Sequence, residues 1–134
     1  MKDPFISELS ADFDGNERYP TTLQSATATA RTTAVTLTNS IANTNQTNAG
    51  AGATRVWTLP RALTMKNQGF RVSILAAQIV RLLPVTGEKI WLAGSGVASK
   101  YLNIAGTIGN YADIWSDGTD WHCVEANGVI TKEA

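Results

Sequence analysis

Three carboxylates in the last quarter of the sequence are the residues best suited to chemistry. Asp113, Asp117 and Asp120 lie close together in the chain, and a pair of carboxylates hydrolyses glycosidic bonds when one side chain acts as an acid. Asp117-Gly118, however, has the composition of a tight turn, where aspartate is favoured because its side chain accepts bonds from backbone N–H groups. The spacing therefore favours a structural role for these aspartates over catalysis.

The only histidine and the only cysteine, His122 and Cys123, are neighbours in the sequence. Adjacent residues of a strand point to opposite faces, so the two side chains do not form a nucleophile–base pair. No second histidine exists to complete a triad or a zinc site. Residues 12–16, Asp-Phe-Asp-Gly-Asn, lack the spacing of an EF-hand loop and are interpreted as a turn. We therefore expect a protein that is not an enzyme, with no catalytic residue, no metal and no cofactor.

Short alternating runs from Arg55 onward indicate the fold that positions these residues. Turn residues separate the runs about every 8 to 12 residues, a rhythm typical of sandwiches and barrels. We predict one all-β domain over residues 25–134, an antiparallel β-sandwich or barrel-like meander, closed by a hairpin at Asp117-Gly118. Its expected core consists of large apolar residues with inward parity: Trp57, Leu59, Phe70, Val72, Ile74, Leu83, Ile90, Leu92, Leu102, Ile104, Ile114, Trp121 and Val124.

The first 24 residues are predicted to be an extended N-terminal arm. Pro4, Gly15 and Pro20 interrupt any regular element there. The arm still carries large apolar side chains, which a purely solvated tail would not need. They are either anchors on a neighbouring molecule, or a cover for the chain's own core: Phe5, Ile6, Leu9, Phe13 and Tyr19.

Residues 39–54 form a Thr/Asn-rich stretch that is predicted to be a loop. No charged residue occurs between Thr32 and Thr54. Its low-complexity composition predicts no core. The missing charge is compatible with a loop packed in an oligomer interface, and the alternative is a flexible tip.

The charges balance to zero, but they are unevenly distributed along the chain. Acidic ends flank a basic middle, which either attracts an acidic partner or another copy, or folds against the chain's own ends. The arginines of the middle are a possible basic contact face: Arg31, Arg55, Arg61, Arg71 and Arg81. They are scattered rather than clustered, so no nucleic-acid partner is expected.

The sequence contains neither an apolar run of signal-peptide type nor a bilayer-spanning stretch of roughly 20 apolar residues. A single cysteine excludes an intramolecular disulfide. We therefore expect synthesis in the cytoplasm and no membrane partner.

About half of the chain, residues 56–125, resembles a β-module of bacteriophage virion proteins, found in capsid decoration (cement) proteins and in head and tail fibres. The resemblance lies in Val56-Trp-Thr-Leu-Pro60, Gly69 before an alternating strand, Leu83-Pro84 with Gly87-Glu-Lys-Ile90, Tyr101-Leu102, and Ser116-Asp-Gly-Thr-Asp-Trp121. It implies an oligomeric, usually trimeric, virion component.

Because the chain is too short for a fibre shaft, the resemblance favours a homotrimeric decoration protein. Such a protein binds the major capsid protein on the outside of the shell and stabilises it, and the apolar residues of the arm would contact the capsid or a neighbouring subunit. Its expected location is the capsid surface of the virion, after synthesis in the host cytoplasm.

A fibre or receptor-binding module that recognises a host surface glycan is the alternative function. Aromatic side chains with nearby Asp and Asn are common in carbohydrate sites. The possible glycan platform consists of Trp91, Tyr101 and Trp115. The competing interpretation is that these rings fill the core or a subunit interface.

Overall fold

The computed structural model describes residues 28–133, and this part of the chain folds into two packed β-sheets. Sheet A has the strand order β1-β3-β5-β9-β10-β7, and sheet B has the order β11-β8-β6-β4-β2. Short 3₁₀ helices occur at Asn39–Ile41 and Ala62–Met65. The strands are β1 Ala28–Ala30, β2 Val35–Thr36, β3 Asn45–Thr47, β4 Arg55–Thr58, β5 Gly69–Ser73, β6 Val80–Leu83, β7 Ile90–Trp91, β8 Leu102–Ile104, β9 Tyr111–Ser116, β10 Trp121–Asn127 and β11 Ile130–Lys132.

The first six strands wind as a coil that alternates between the two sheets. β1, β3 and β5 pair in parallel in sheet A, and β2, β4 and β6 pair in parallel in sheet B. Each strand therefore meets the strand one full turn later instead of its neighbour in sequence. The all-β prediction is confirmed, but the sheets are mixed rather than purely antiparallel because of this winding.

The last strands contribute the antiparallel pairs and the predicted hairpin. β9 and β10 pair around the turn after Ser116, and β8 pairs with both β6 and β11. Oδ1 of Asp117 accepts from the backbone N–H groups of Thr119 (2.7 Å) and Asp120 (2.8 Å). Gly118 adopts a φ of 94°, which glycine tolerates without strain. The interpretation of Asp117-Gly118 as turn chemistry is confirmed.

The core lies between the sheets and contains most of the predicted residues. The exceptions are Leu83 and Leu92, which are only partly buried, and Val124, which is 41% exposed. Val80 and Leu82 occupy the core side of β6, so Leu83 has the opposite parity to the one predicted. A bulge between Cys123 and Glu125 leaves Val124 without a register partner and turns it towards solvent.

The predicted loop over residues 39–54 is instead an internal part of the coil. It includes a 3₁₀ helix, and its β3 strand is paired on both sides within sheet A. Ile41, Gln46, Thr47 and Asn48 are almost completely buried. The loop prediction is wrong for β3, because buried amide and hydroxyl groups are stable once their hydrogen bonds are made inside the fold, whereas residues 48–54 do connect β3 to β4 as a loop.

Candidate functional site

Three aromatic side chains form a row across the outer face of sheet A. In the strand register, His122 of β10 is paired with Trp115 of β9 on one side and with Trp91 of β7 on the other. The His122 ring centroid lies 5.8 Å from that of Trp115 and 6.4 Å from that of Trp91. All three side chains are partly exposed. We call Trp115, His122 and Trp91 the aromatic row.

The closing hairpin holds the histidine of the row in place. Nε2 of His122 donates to Oδ2 of Asp117 at 2.8 Å. Partial burial acts to raise the pKa of Asp117. The backbone N–H of Asp120, the His122 ring and the backbone N–H of Thr119 outweigh it and lower the pKa to about 2. Asp117 is therefore ionised at neutral pH. Its carboxylate accepts bonds both from the backbone of the turn and from His122 of the aromatic row.

This carboxylate predicts a pH-dependent contribution to stability. Its pKa falls from 3.8 in the unfolded chain to about 2 in the folded protein, so the contribution is present above pH 3.8 and is lost as the pH falls towards 2. In Asp117→Asn, the side-chain oxygen still accepts the turn bonds, but the charge is gone. We expect the difference in unfolding free energy between wild type and Asp117→Asn to shrink from pH 5 to pH 2. Urea titrations across this range test it, and a constant difference would contradict it.

Trp91, at the edge of sheet A, is fixed by contacts on several sides. Its indole Nε1 donates to Oδ2 of Asp120 at 3.2 Å, and Oδ1 of the same carboxylate accepts from the Lys89 backbone N–H at 3.0 Å. Nζ of Lys89 lies 5.1 Å from the Trp91 ring centroid, within cation–π range. Gly96 packs closely on the ring, since a Cβ there would be 2.7 Å from Cδ2 of Trp91. The ring is thus held rigidly.

An ion pair lies beside the aromatic row on the same face. Arg71 and Asp113 form a bidentate salt bridge, with Nε to Oδ1 at 2.7 Å and Nη2 to Oδ2 at 2.9 Å. The Arg71 guanidinium also lies 4.1 Å from the centroid of the Tyr111 ring. Its hydrogen bond to Asp113 raises the pKa of Arg71. This pairing pre-orients Arg71 and Tyr111, so little side-chain entropy remains to be lost on binding.

The structure brings together two of the three residues predicted for a glycan platform. Trp91 and Trp115 both belong to the aromatic row, with His122 between them. Tyr101 lies elsewhere, because it precedes β8 of sheet B and contacts Arg81 of that sheet, whose guanidinium is 5.5 Å from its ring centroid. A platform made of all three residues is therefore ruled out by the sheet topology.

The five predicted basic residues do not share one face. Arg71 points outward from sheet A, whereas Arg81 points outward from sheet B, between the buried Val80 and Leu82. Arg61 precedes the second 3₁₀ helix, and Arg55 begins β4. Arg31 follows β1, and its Nε donates to Oε1 of Gln46 at 2.9 Å. These arginines therefore do not form the single contact face that the basic middle of the sequence suggested.

The remaining predictions concern the arm, the thiol and metal binding. The arm residues Phe5, Ile6, Leu9, Phe13 and Tyr19 lie outside the described residues. Cys123 packs against the core, and burial, with a smaller effect of Asp113, raises the pKa of its thiol to about 11. Within residues 28–133, no group of His, Cys, Asp or Glu side chains is arranged to hold a metal ion. In the same range, no helix has the length and apolar character that crossing a membrane requires.

Sequence reasoning did not single out His122 as a site residue, although a signal was present. Counting outward from the Asp117-Gly118 turn pairs Ser116 with Trp121 and then Trp115 with His122, as the register shows. Trp121 belongs to the opposite, buried face. Hairpin symmetry would therefore have placed His122, rather than Trp121, beside Trp115.

Comparison of the chain with protein-family models and with curated protein sequences finds no match. The resemblance to a virion module consequently rests on the residues quoted for it.

Proposed function

We propose that this chain is a structural protein of a bacteriophage virion, a homotrimeric decoration protein that binds the outside of the major capsid shell. The observation that carries the proposal is the outer face of sheet A. It presents Trp91 and Trp115 on either side of His122, and the Arg71 guanidinium over the Tyr111 ring further along the same face, all of them partly exposed. Trp, Tyr and Arg are the residue types that dominate binding energy at protein interfaces.

The rigidity of this face supports protein binding. The Asp117–His122 bond, the Asp120–Trp91 bond and the Arg71–Asp113 pair each fix a side chain that a partner would contact. An interface that is ordered before association loses less conformational entropy when the partner arrives. Such a face suits the permanent attachment that a capsid-stabilising protein requires.

A capsid-binding measurement tests the proposal. Purified protein is examined by size-exclusion chromatography with light scattering and is then sedimented with capsids that lack it. We expect a trimer that co-sediments with capsids and raises their melting temperature. Replacing Trp115 by alanine removes the centre of the exposed face and is expected to weaken capsid binding by about 100-fold, in the range of an interface hot spot.

Tyr101→Ala provides the matched control. Tyr101 is also a partly exposed aromatic residue next to an arginine, but it belongs to sheet B. It is expected to leave capsid binding unchanged. A wild-type protein that stays monomeric and ignores capsids would refute the proposal. Equal losses in Trp115→Ala and Tyr101→Ala would refute the assignment of the binding face.

A second candidate function, recognition of a host surface glycan, is favoured by the aromatic row itself. Trp115 and Trp91 offer indole rings on one surface, with the carboxylates of Asp117 and Asp120 next to them. Rings that stack on sugars beside carboxylates that accept from sugar hydroxyls would suit a neutral oligosaccharide. In this function the same face of sheet A binds the sugar instead of the capsid.

Tryptophan fluorescence separates the two functions. Trp57 and Trp121 are fully buried, so an added oligosaccharide can alter directly only the emission of Trp91 and Trp115. Quenching by a cell-surface oligosaccharide that disappears in Trp115→Phe would favour the glycan function. Unchanged emission across a broad panel of such oligosaccharides would exclude it.

A further inference from the structure

Asn127 and Gly128 lie where the chain leaves sheet A and crosses to sheet B. Asn127 is the last residue of β10 and pairs with Tyr111, the first residue of β9, so the ladder between these strands ends here. β11 begins at Ile130 in the other sheet. Asn127 and Gly128 are both exposed, and they form the only Asn-Gly sequence in the chain.

An asparagine that precedes a glycine is chemically labile and loses its amide without an enzyme. The glycine backbone nitrogen gives up its proton and bonds to the side-chain Cγ, the bond from Cγ to Nδ2 breaks, and ammonia leaves. Water then opens the resulting cyclic imide at either carbonyl, which yields aspartate or isoaspartate. Glycine favours ring closure because it has no side chain to hinder the approach. The reaction needs a free backbone N–H, an accessible amide and a backbone that can rotate.

The structure meets these three requirements at Asn127 and Gly128. Among residues 28–133, no acceptor is found for the Gly128 backbone N–H. The Asn127 side chain makes one hydrogen bond, in which its Nδ2 donates to the Gly109 carbonyl at 3.3 Å, at the long end of the normal range. The end of a strand is also where a ladder opens at the lowest cost in free energy. Attack therefore requires the loss of one long surface bond and a local rotation.

A close contact explains why glycine occupies position 128 despite this reactivity. A Cβ built at Gly128 would overlap with the side-chain amide of Asn110. Asn110 is buried, and its Nδ2 donates to the Ala105 carbonyl at 3.0 Å. The φ of Gly128 is 96°, a conformation that favours glycine. The connection between the sheets thus requires a glycine directly after Asn127.

Asp117-Gly118 is a similar sequence in which the fold restrains both reacting groups. The Asp117 carboxylate accepts from two backbone N–H groups of the turn and from His122. The Gly118 N–H donates to Oγ of Ser116 at 3.0 Å. The Asp117 pKa of about 2 also leaves little of the neutral acid, the form that closes the ring with loss of water. The structure therefore distinguishes a protected Asp-Gly sequence from an unprotected Asn-Gly sequence.

We propose that Asn127 is a site of spontaneous deamidation in the folded protein. The product carries a new carboxylate on the outer face of sheet A, because Asn127 pairs with Tyr111 of that face and the preceding Ala126 pairs with the buried Ala112. Glu125 lies two positions earlier with the same parity, so the exposed end of β10 gains a second negative charge. The isoaspartate form also lengthens the connection between the sheets by one backbone atom. The inference does not rest on the proposed function.

Reaction rates in the folded and unfolded protein test the proposal. The protein is incubated at neutral pH with and without guanidinium chloride, and peptide mapping by mass spectrometry measures aspartate and isoaspartate at each position over time. We expect Asn127 in the folded protein to react within about 10-fold of its rate in the unfolded chain, because one hydrogen bond restrains it. Folding should slow isoaspartate formation at Asp117 by at least about 100-fold, because several bonds restrain it.

Asn127→Gln is the control variant. It keeps an amide at this exposed position, but closure of the larger ring is slower, and we expect ammonia loss to fall by at least about 10-fold. Circular dichroism verifies that the variant is folded. The proposal is overturned if the folded protein keeps its Asn127 amide while the unfolded chain loses it, or if folding protects Asn127 and Asp117 equally. Capsid binding by freshly purified protein is measured separately, so either result leaves the proposed function standing.

Discussion

Replacing Asn48 by alanine is expected to lower the free energy of unfolding by about 3 to 5 kcal/mol, at the upper end of single-substitution effects. Oδ1 of Asn48 accepts from the backbone N–H groups of Leu75 (2.8 Å) and Ala76 (2.9 Å). Its Nδ2 donates to the carbonyls of Ala76 (3.0 Å) and Gln78 (2.9 Å). The side chain is fully buried, so alanine would leave four backbone groups without these partners.

Asn45→Ala is the matched control for this substitution. Asn45 stands three positions earlier, is partly exposed, and its Oδ1 accepts one bond, from Oγ of Ser73 at 2.7 Å. Its loss is expected to cost about 1 kcal/mol or less. Urea unfolding followed by the fluorescence of the buried Trp57 and Trp121 compares the two variants. Equal costs would mean that Asn48 does not clamp the 75–78 loop to the coil.

The importance of Asn48 shows which half of the fold was hard to predict. From β4 onward, large apolar residues alternate with polar ones, and the two faces of each strand follow from that alternation. Before β4, most side chains are Thr, Ala or Asn, and the buried position of Asn48 is marked by hydrogen bonds to distant backbone rather than by apolar character. Such bonds leave no periodic signal in the sequence.

The strand pairs also differ in how well the sequence predicts them. The β9–β10 hairpin was predicted from Asp117-Gly118, because turn chemistry is local. The parallel pairs are not local, since Ala28 pairs with Asn45 and Asn45 pairs with Arg71. No residue between these strands specifies the partner. The winding of the chain between two sheets was consequently missed, although its strands were mostly located.

The candidate site was predicted only in part, because its residues are also brought together by pairing between strands that are distant in the sequence. Trp91 and Trp115 were proposed from their residue type as part of a glycan platform. They meet only because the two-residue strand β7 pairs in parallel with β10, about thirty residues further along the chain. Tyr101 was grouped with them, but β8 joins the other sheet. Residue type identified the candidates, whereas the sheet topology decided which of them are neighbours.

The second large effect is expected at Gly69, which occupies the β5 position of the aromatic row beside Trp115. A Cβ at this position would lie 2.5 Å from the Ile114 carbonyl oxygen and 3.4 Å from the Trp115 Cα. Both are backbone atoms of β9, so β5 and β9 must separate to admit a methyl group. We expect Gly69→Ala to lower the free energy of unfolding by about 3 kcal/mol, as strong overpacking does. Because it displaces Trp115, it should also weaken binding at the outer face of sheet A.

Gly52→Ala separates this steric effect from the general effect of removing a glycine. No atom lies within 4 Å of a Cβ built at Gly52, and its backbone is outside the left-handed region. Restricting the unfolded chain there should leave stability unchanged or raise it by about 0.5 kcal/mol. Chemical unfolding of both variants, with capsid binding measured on the folded fraction, provides the comparison. If Gly69→Ala were as stable as Gly52→Ala, the close approach of β5 to β9 would be disproved, and with it the position of Trp115 in the aromatic row.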